Sequence, residues 1–351
     1  MARTVFIVHP GSLGDVLLAV PALRRLRTKY PHHELVLSAR GHAGSVLMEC
    51  GLVHAWCPLD GSACAELFSG SPVVTGQLAD WLKRCDVAVA WTQDDRGVLR
   101  DTLRSSGVKE AVVGSPFSST VKTVHQSDRF LETINESPER SEERTPVMVP
   151  DRWRAEGRSL LAYHGIEEKQ RLIVVHPGSG SLHKCVAPDA LASLIELMGA
   201  KGKIPVIVEG PADAESVARL HRKLSNPVTV MRGKDLQTAI GLLSYAECFV
   251  GQDSGVTHLA ALFGISTLAL FGPTDSARWA PRGKHVTVLR GNPCSCRSWE
   301  AVRQCDDKPC LKFSAHGLLE HCLSPATDDK TPQVPPDRAL SLPTPCARVA
   351  S

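Results

Sequence analysis

Residues 172–179, Leu172-Ile173-Val174-Val175-His176-Pro177-Gly178-Ser179, restate residues 5–12, Val5-Phe6-Ile7-Val8-His9-Pro10-Gly11-Ser12. Each copy is a run of large or β-branched apolar residues that breaks at Pro-Gly-Ser and leads into a helical pattern. Such a run reads as the first buried strand and first turn of a parallel α/β domain. Two openings imply two domains. In open α/β sheets a ligand sits beyond the carboxyl ends of the strands, so the expected architecture is α/β, two Rossmann-like domains whose parallel sheets face an interdomain cleft.

The 351 residues and 43% hydrophobic content suit two soluble domains with separate cores. The longest apolar stretch, Val16 to Leu23 with Pro21 inside it, is far below the roughly 18 residues of a membrane span. Residue 3 onward enters a strand with no secretory apolar region ahead of it, so a cytoplasmic protein is expected. A net charge of +3 gives no argument for nucleic acid. Arg24, Arg25, Arg27 and Lys29 read as a solvated helix end whose cations suit the dipole.

Of the twelve cysteines, Cys50, Cys57, Cys64, Cys85, Cys185, Cys248 and Cys346 are scattered and read as small core residues. Cys294, Cys296, Cys305, Cys310 and Cys322 fall in one Pro/Gly-punctuated segment that stands out as a candidate metal site, but their spacing matches no standard pair of C-x-x-C motifs and no metal is assigned to it.

Alternating patterns place a helix over 15–29, a strand over 34–38 and further strands at 87–90 and 111–114, so the first domain is drawn as 1–150. The polar stretch 135–145 reads as a surface loop. The second domain, 151–322, opens with a helix and alternates strands at 172–176, 205–209, 227–231, 248–251 and 267–271 with helices at 188–198, 212–224, 236–246 and 255–263. Residues 323–351, rich in Pro, Ser and Thr, form an expected disordered tail.

Three motifs carry chemistry. In Gly251-Gln252-Asp253-Ser254-Gly255-Val256-Thr257-His258 a buried strand turns into a helix whose free amides and positive dipole end suit a phosphate. In His176-Pro177-Gly178-Ser179-Gly180-Ser181-Leu182-His183-Lys184 small residues wrap anionic oxygens and Lys184 adds a point charge. This is no Walker loop, lacking G-x-x-x-x-G-K-[ST], and His183 stands where a dinucleotide fingerprint has its third Gly. The second strand ends in Ser38-Ala39-Arg40, without an acid for a ribose, which weakens a nicotinamide enzyme. The third motif, Gly11-Ser12-Leu13-Gly14-Asp15, offers a carboxylate as general base or, more simply, as a helix-start acid.

Together these motifs resemble the glycosyltransferase family 9 heptosyltransferases, over roughly residues 3 to 322. The resemblance implies a GT-B fold, acceptor on the first domain, nucleotide sugar on the second, and a C-terminal helix crossing back to the first. It implies metal-independent, inverting transfer of a heptose from ADP-heptose to a lipopolysaccharide inner-core acceptor (Kdo or heptose), with no cofactor. Asp15 would be the base, with Ser12 and Gly14 on the acceptor side. Lys184, helped by Ser179, Gly180 and Ser181, would steady the departing diphosphate. Asp253, Ser254, Gly255 and Thr257 would hold sugar and phosphates, His258 would orient that turn, Lys234 would lie near the adenine, and Asp213 or Glu215 would take the ribose. A lipid acceptor adds peripheral contact with the cytoplasmic face of the inner membrane. This chain departs from the family in Cys185-Val186-Ala187, where aromatic and basic residues are usual. Two other readings are a nucleotide-sugar epimerase of the same architecture and a silent nucleotide-sugar-binding protein.

Overall fold

A computed structural model describes residues 2–70, 74–116, 124–138 and 145–323. The expected loop at 135–145 is described in part, and the expected tail from 324 onward lies outside these residues. The chain divides into two compact units, Met1–Glu143 and Arg144–Ser351. The division falls before residue 150 because the stretch leading to it is bonded into the second unit: Val147 N donates to Leu262 O at 2.9 Å.

In the first unit, β1 (Arg3–His9), β2 (His33–Ala39), β3 (Ala55–Pro58), β4 (Cys85–Ala90) and β5 (Glu110–Val113) form an all-parallel sheet in the order β3-β2-β1-β4-β5. β1 is central because every residue from Val5 to Val8 is apolar and fully buried, as a strand covered on both faces requires. Phe6, Val8, Val36, Ala88 and Leu82 belong to one core cluster.

The expected single helix over 15–29 is two, Leu13–Leu18 and Val20–Lys29, with Ala19 between them. Pro21 has no amide to give the carbonyl four residues back, so the ladder is interrupted there.

The second unit contains β6 (Leu172–His176), β7 (Ile204–Glu209), β8 (Thr229–Arg232), β9 (Ala246–Gln252), β10 (Thr267–Phe271) and β11 (Val286–Arg290). Their order, β11-β10-β9-β6-β7-β8, is all parallel. Counted within the unit it is the 3-2-1-4-5-6 order of a dinucleotide-type sheet, whose strand direction of travel reverses beside β6 and β9. Ile173, Val175, Val250, Leu268 and Leu270 build its core with Leu191, Leu194 and Ile195 of the helix Pro188–Ala200. The last described helix, Ala315–Leu323, packs on Pro188–Ala200 within the same unit.

Candidate active site

The turns after β6 and β9 lie side by side at the point where the strand order reverses, the place where open α/β sheets bind ligands. Ser179 Oγ donates to Asp253 O at 2.6 Å and ties the two turns together. Lys184, in the short 3-10 turn Leu182–Lys184, returns toward the same point and sets its Nζ 2.8 Å from Asp253 Oδ2. Both side chains are only 11% exposed, so this ion pair is shielded from the screening that makes surface pairs weak. The Trp299 ring, from more than a hundred residues further along, lies 5.8 Å from the same Nζ.

Beneath the turns runs a buried chain of hydrogen bonds. Asp213 Oδ2 pairs with His176 Nε2 at 2.8 Å, His176 Nδ1 with Ser254 Oγ at 3.2 Å, Ser254 Oγ with Thr257 Oγ1 at 3.1 Å, and Thr257 Oγ1 donates to Gln252 O at 2.6 Å. Val186 N donates to Gln252 Oε1 at 3.2 Å, which fixes the loop beyond Lys184. Burial alone pushes the Asp213 carboxyl up, but the His176 hydrogen bond and charge and the Gly210 amide hold it below the ordinary carboxylate value. Asp213 also explains Gly178: a Cβ there would sit 1.8 Å from Asp213 Oδ1.

Ser254 caps the helix Gly255–Leu262, and its first amides, with the dipole behind them, open beside the Lys184–Asp253 pair. Thr257 and His258 are buried in that helix, and Gly180 and Ser181 line the more open side of the loop. Ser181 Oγ accepts from His183 N at 3.3 Å.

Other expected residues fall elsewhere. Asp213 is buried and committed to His176 and Gly210, so it braces the loop, and its expected ribose role is not kept. Glu215 is exposed on the next helix and pairs with Arg219. Lys234 is exposed in the loop between β8 and the helix Leu236–Leu243, where Asp235 accepts from Thr238 N at 2.7 Å. In the first unit, Asp15 Oδ2 accepts from Ser12 N at 2.9 Å and from Ser12 Oγ at 2.7 Å, and Gly14 is buried one residue before it.

The sequence profile of glycosyltransferase family 9 (heptosyltransferase) matches residues 137–309. That match spans just under half of the chain, and over it the chain is similar to glycosyltransferase family 9. The lipopolysaccharide heptosyltransferase 3 of Escherichia coli (strain K12) is 30% identical over 146 residues, 40% of this chain and 42% of that one. The alignment thus spans about two fifths of the length of that curated relative. The solved structure of the glycosyl transferase family 9 protein from Veillonella parvula DSM 2008 matches 91% of this chain and 96% of its own, with a TM-score of 0.74 at 17% identity. The E. coli ADP-heptose lps heptosyltransferase II matches 91% and 97%, with a TM-score of 0.70 at 16% identity. The fold is GT-B.

Sequence reasoning missed two members of the candidate site. His176 opens the small-residue loop in the sequence, yet it is also the hinge of a buried network, and nothing local in the sequence assigns it to Asp213. Trp299 lies in a segment without strand or helix periodicity, yet it supplies an aromatic face to Lys184 where Cys185-Val186-Ala187 do not. No helix among the described residues is long and apolar enough to cross a membrane.

Proposed function

We propose that this chain transfers a heptose from ADP-heptose to a lipopolysaccharide inner-core acceptor, Kdo or heptose, by inversion and without a metal ion in the transfer step. The observation that carries the reading is the Lys184–Asp253 pair fixed beside the start of the Gly255–Leu262 helix.

The anomeric carbon–oxygen bond to the diphosphate breaks as negative charge gathers on the departing phosphate. A cation and helix amides already aimed at that charge lower the barrier without reorganising when the reaction occurs. Asp253 holds the Lys184 amine in place, and the Asp213–His176–Ser254 chain holds the turn that carries Asp253. Ser179, Gly180 and Ser181 close on the phosphates, Ser254, Gly255 and Thr257 shape the donor pocket, and His258 supports it from within the helix. Lys234 and Glu215, both exposed, are assigned to the adenosine end. Asp15, kept at the head of its helix by Ser12, takes the proton of the acceptor hydroxyl as that oxygen attacks from the opposite face of the sugar. A lipid-linked acceptor places the enzyme at the cytoplasmic face of the inner membrane, with nucleotide sugar and acceptor as its partners and no cofactor.

Thermal-shift titration with ADP, UDP, GDP and their sugars tests the donor, because a ligand that binds only the native state raises its stability. The reading requires an adenine-selective shift that is lost in Lys184→Ala. Donor turnover without any acceptor would indicate the epimerase, and absence of a shift with every nucleotide would overturn the donor site.

A further inference from the structure

The late cysteine segment is a candidate metal site to which the spacing alone assigns no metal, and the fold gathers part of it. The Sγ atoms of Cys294, Cys296 and Cys305 all lie within 4.8 Å of one another, and Cys294 and Cys296 are 2.9 Å apart. The Cys310 thiol reaches the same group through Cys294. Cys322, the fifth member by sequence, is elsewhere, buried beside Cys248 in the sheet core.

From this grouping we infer that Cys294, Cys296, Cys305 and Cys310 form a structural site for one divalent transition ion of the zinc and ferrous iron class.

Four sulfur ligands around a tetrahedral centre are the donor set such ions take in closed, non-catalytic sites, with metal–sulfur distances of about 2.3 Å. The surrounding backbone is already arranged for sulfur carrying negative charge. Cys296 N donates to Cys294 Sγ at 3.4 Å, and Lys308 N donates to Cys305 Sγ at 3.4 Å. Hydrogen bonds of this kind fix ligand orientation from outside the ligand set. Binding would release the thiol protons to solvent, and the two charges left beyond those of the ion fall in a loop that carries Arg297, Arg303 and Lys308.

The segment also needs such a tether. Between Cys296 and Cys305 lies a helix of only five residues, Trp299–Arg303, capped by Ser298 and burying just Val302. A helix this short does not hold itself in water. Ligands on both sides of it, with Gly291 N and Asn292 N bonded to Cys310 O and Pro309 O at 3.2 and 3.1 Å, would close the loop into a knot. That knot carries Trp299 to Lys184, so the ion would act on the site only by position. The proposal does not depend on the identity of the donor.

The test uses the full chain purified under reducing conditions, with metal content, free thiols and thermal stability measured on one sample. A stoichiometric zinc or iron content is expected, and replacement by Co2+ is expected to give the thiolate charge-transfer and tetrahedral bands of a sulfur-ligated ion. Cys294→Ser and Cys305→Ser should lose both the metal and the bands, while Cys57→Ser and Cys322→Ser keep them. Cys310→Ser should change the Co2+ spectrum, and an unchanged spectrum would remove Cys310 from the ligand set. A folded chain with substoichiometric metal, no Co2+ bands and all thiols reactive, or with Cys294 and Cys296 joined as a disulfide, overturns the site. Adenosine nucleotide shifts, read separately, report on the donor site alone.

Discussion

Lys184 is the residue whose loss is most informative. Removing it takes away the cation proposed to meet the leaving phosphate and leaves Asp253 without its Lys184 partner in a mostly buried turn. Loss of one such pre-set stabilising group costs on the order of 10² to 10³ in kcat, and Lys184→Ala is expected to lose that much along with the ADP-induced thermal shift. Asp15→Asn separates the two substrates. The amide keeps the shape and an acceptor for Ser12 N, so nucleotide binding should stay as it is while transfer falls by about 10² to 10⁴, the range for a general base. Transfer at the wild-type rate in this variant would remove Asp15 from the mechanism. His9, the counterpart of His176 in the repeated stretch, makes the pH prediction. Burial against Trp91 and Phe130 lowers it to about 4, although the Asp15 charge pulls the other way. Its folded value is thus below the ordinary value near 6.5, and between the two the unfolded chain binds the proton that the folded chain refuses. This contribution to stability is complete above about 6.5 and declines as pH falls toward 4. Urea unfolding at pH 7 and pH 5 should show wild type losing roughly 2 kcal/mol more than His9→Gln, and parallel pH dependences would contradict it. Two histidines at equivalent positions in the sequence therefore do different work. His176 has Asp213 within reach and His9 has aromatic rings, a distinction that no local pattern carries.

Among the elements, the helices Asp151–Tyr163 and Leu236–Leu243 approach each other through glycines. A Cβ on Gly241 would sit 1.8 Å from Trp153 O, and one on Gly157 would sit 2.2 Å from the Gly241 carbonyl carbon. Both obstacles are backbone, which no side-chain rotation relieves. Gly241→Ala is accordingly expected to force the helices apart and lower stability by about 1–3 kcal/mol or more, measured as a lower denaturant midpoint with an unchanged slope. A neutral substitution would show that these helices slide freely past one another. The sequence patterns that were easiest to read are the strands with neighbours on both sides. β1 and β6 carry continuous apolar runs, β9 carries the buried Cys248-Phe249-Val250, and β6 and β10 have the expected bounds. Of the four sheet edges, β5 and β8 were read, whereas β3 and β11 went unread because neither holds a buried apolar run: β3 is four partly exposed residues ending in Pro58, and β11 alternates without becoming buried. Edge strands are fixed by the neighbour they join, and that information lies elsewhere in the chain.

For the whole molecule, the doubled opening stretch was enough to read two Rossmann-like units, because the same physical demand, a fully buried first strand followed by a turn at the strand-order reversal, is met twice. The site was legible to the same degree. Lys184 and Asp253 are each conspicuous in a small-residue turn, whereas Asp213 and Trp299 join them only through folding. Each unit has its own sheet and its own core, so the chain falls outside the size and organisation for which a single unfolding step is the rule. The tryptophans divide evenly, with Trp56, Trp81 and Trp91 in the first unit and Trp153, Trp279 and Trp299 in the second. Variants keeping only one set would therefore report on one unit each. Under the proposed donor site, ADP held by the Lys184 loop is a ligand of the second unit, and at a hundred times its Kd it adds about 2.7 kcal/mol to the stability of whatever unfolds with that loop. Guanidinium unfolding is expected to show the second-unit tryptophans shifting to higher denaturant with ADP while the first-unit tryptophans stay where they are. Coincident shifts of both sets would mean that the two cores unfold as one cooperative body, and the separate sheets would then not correspond to separate units of stability.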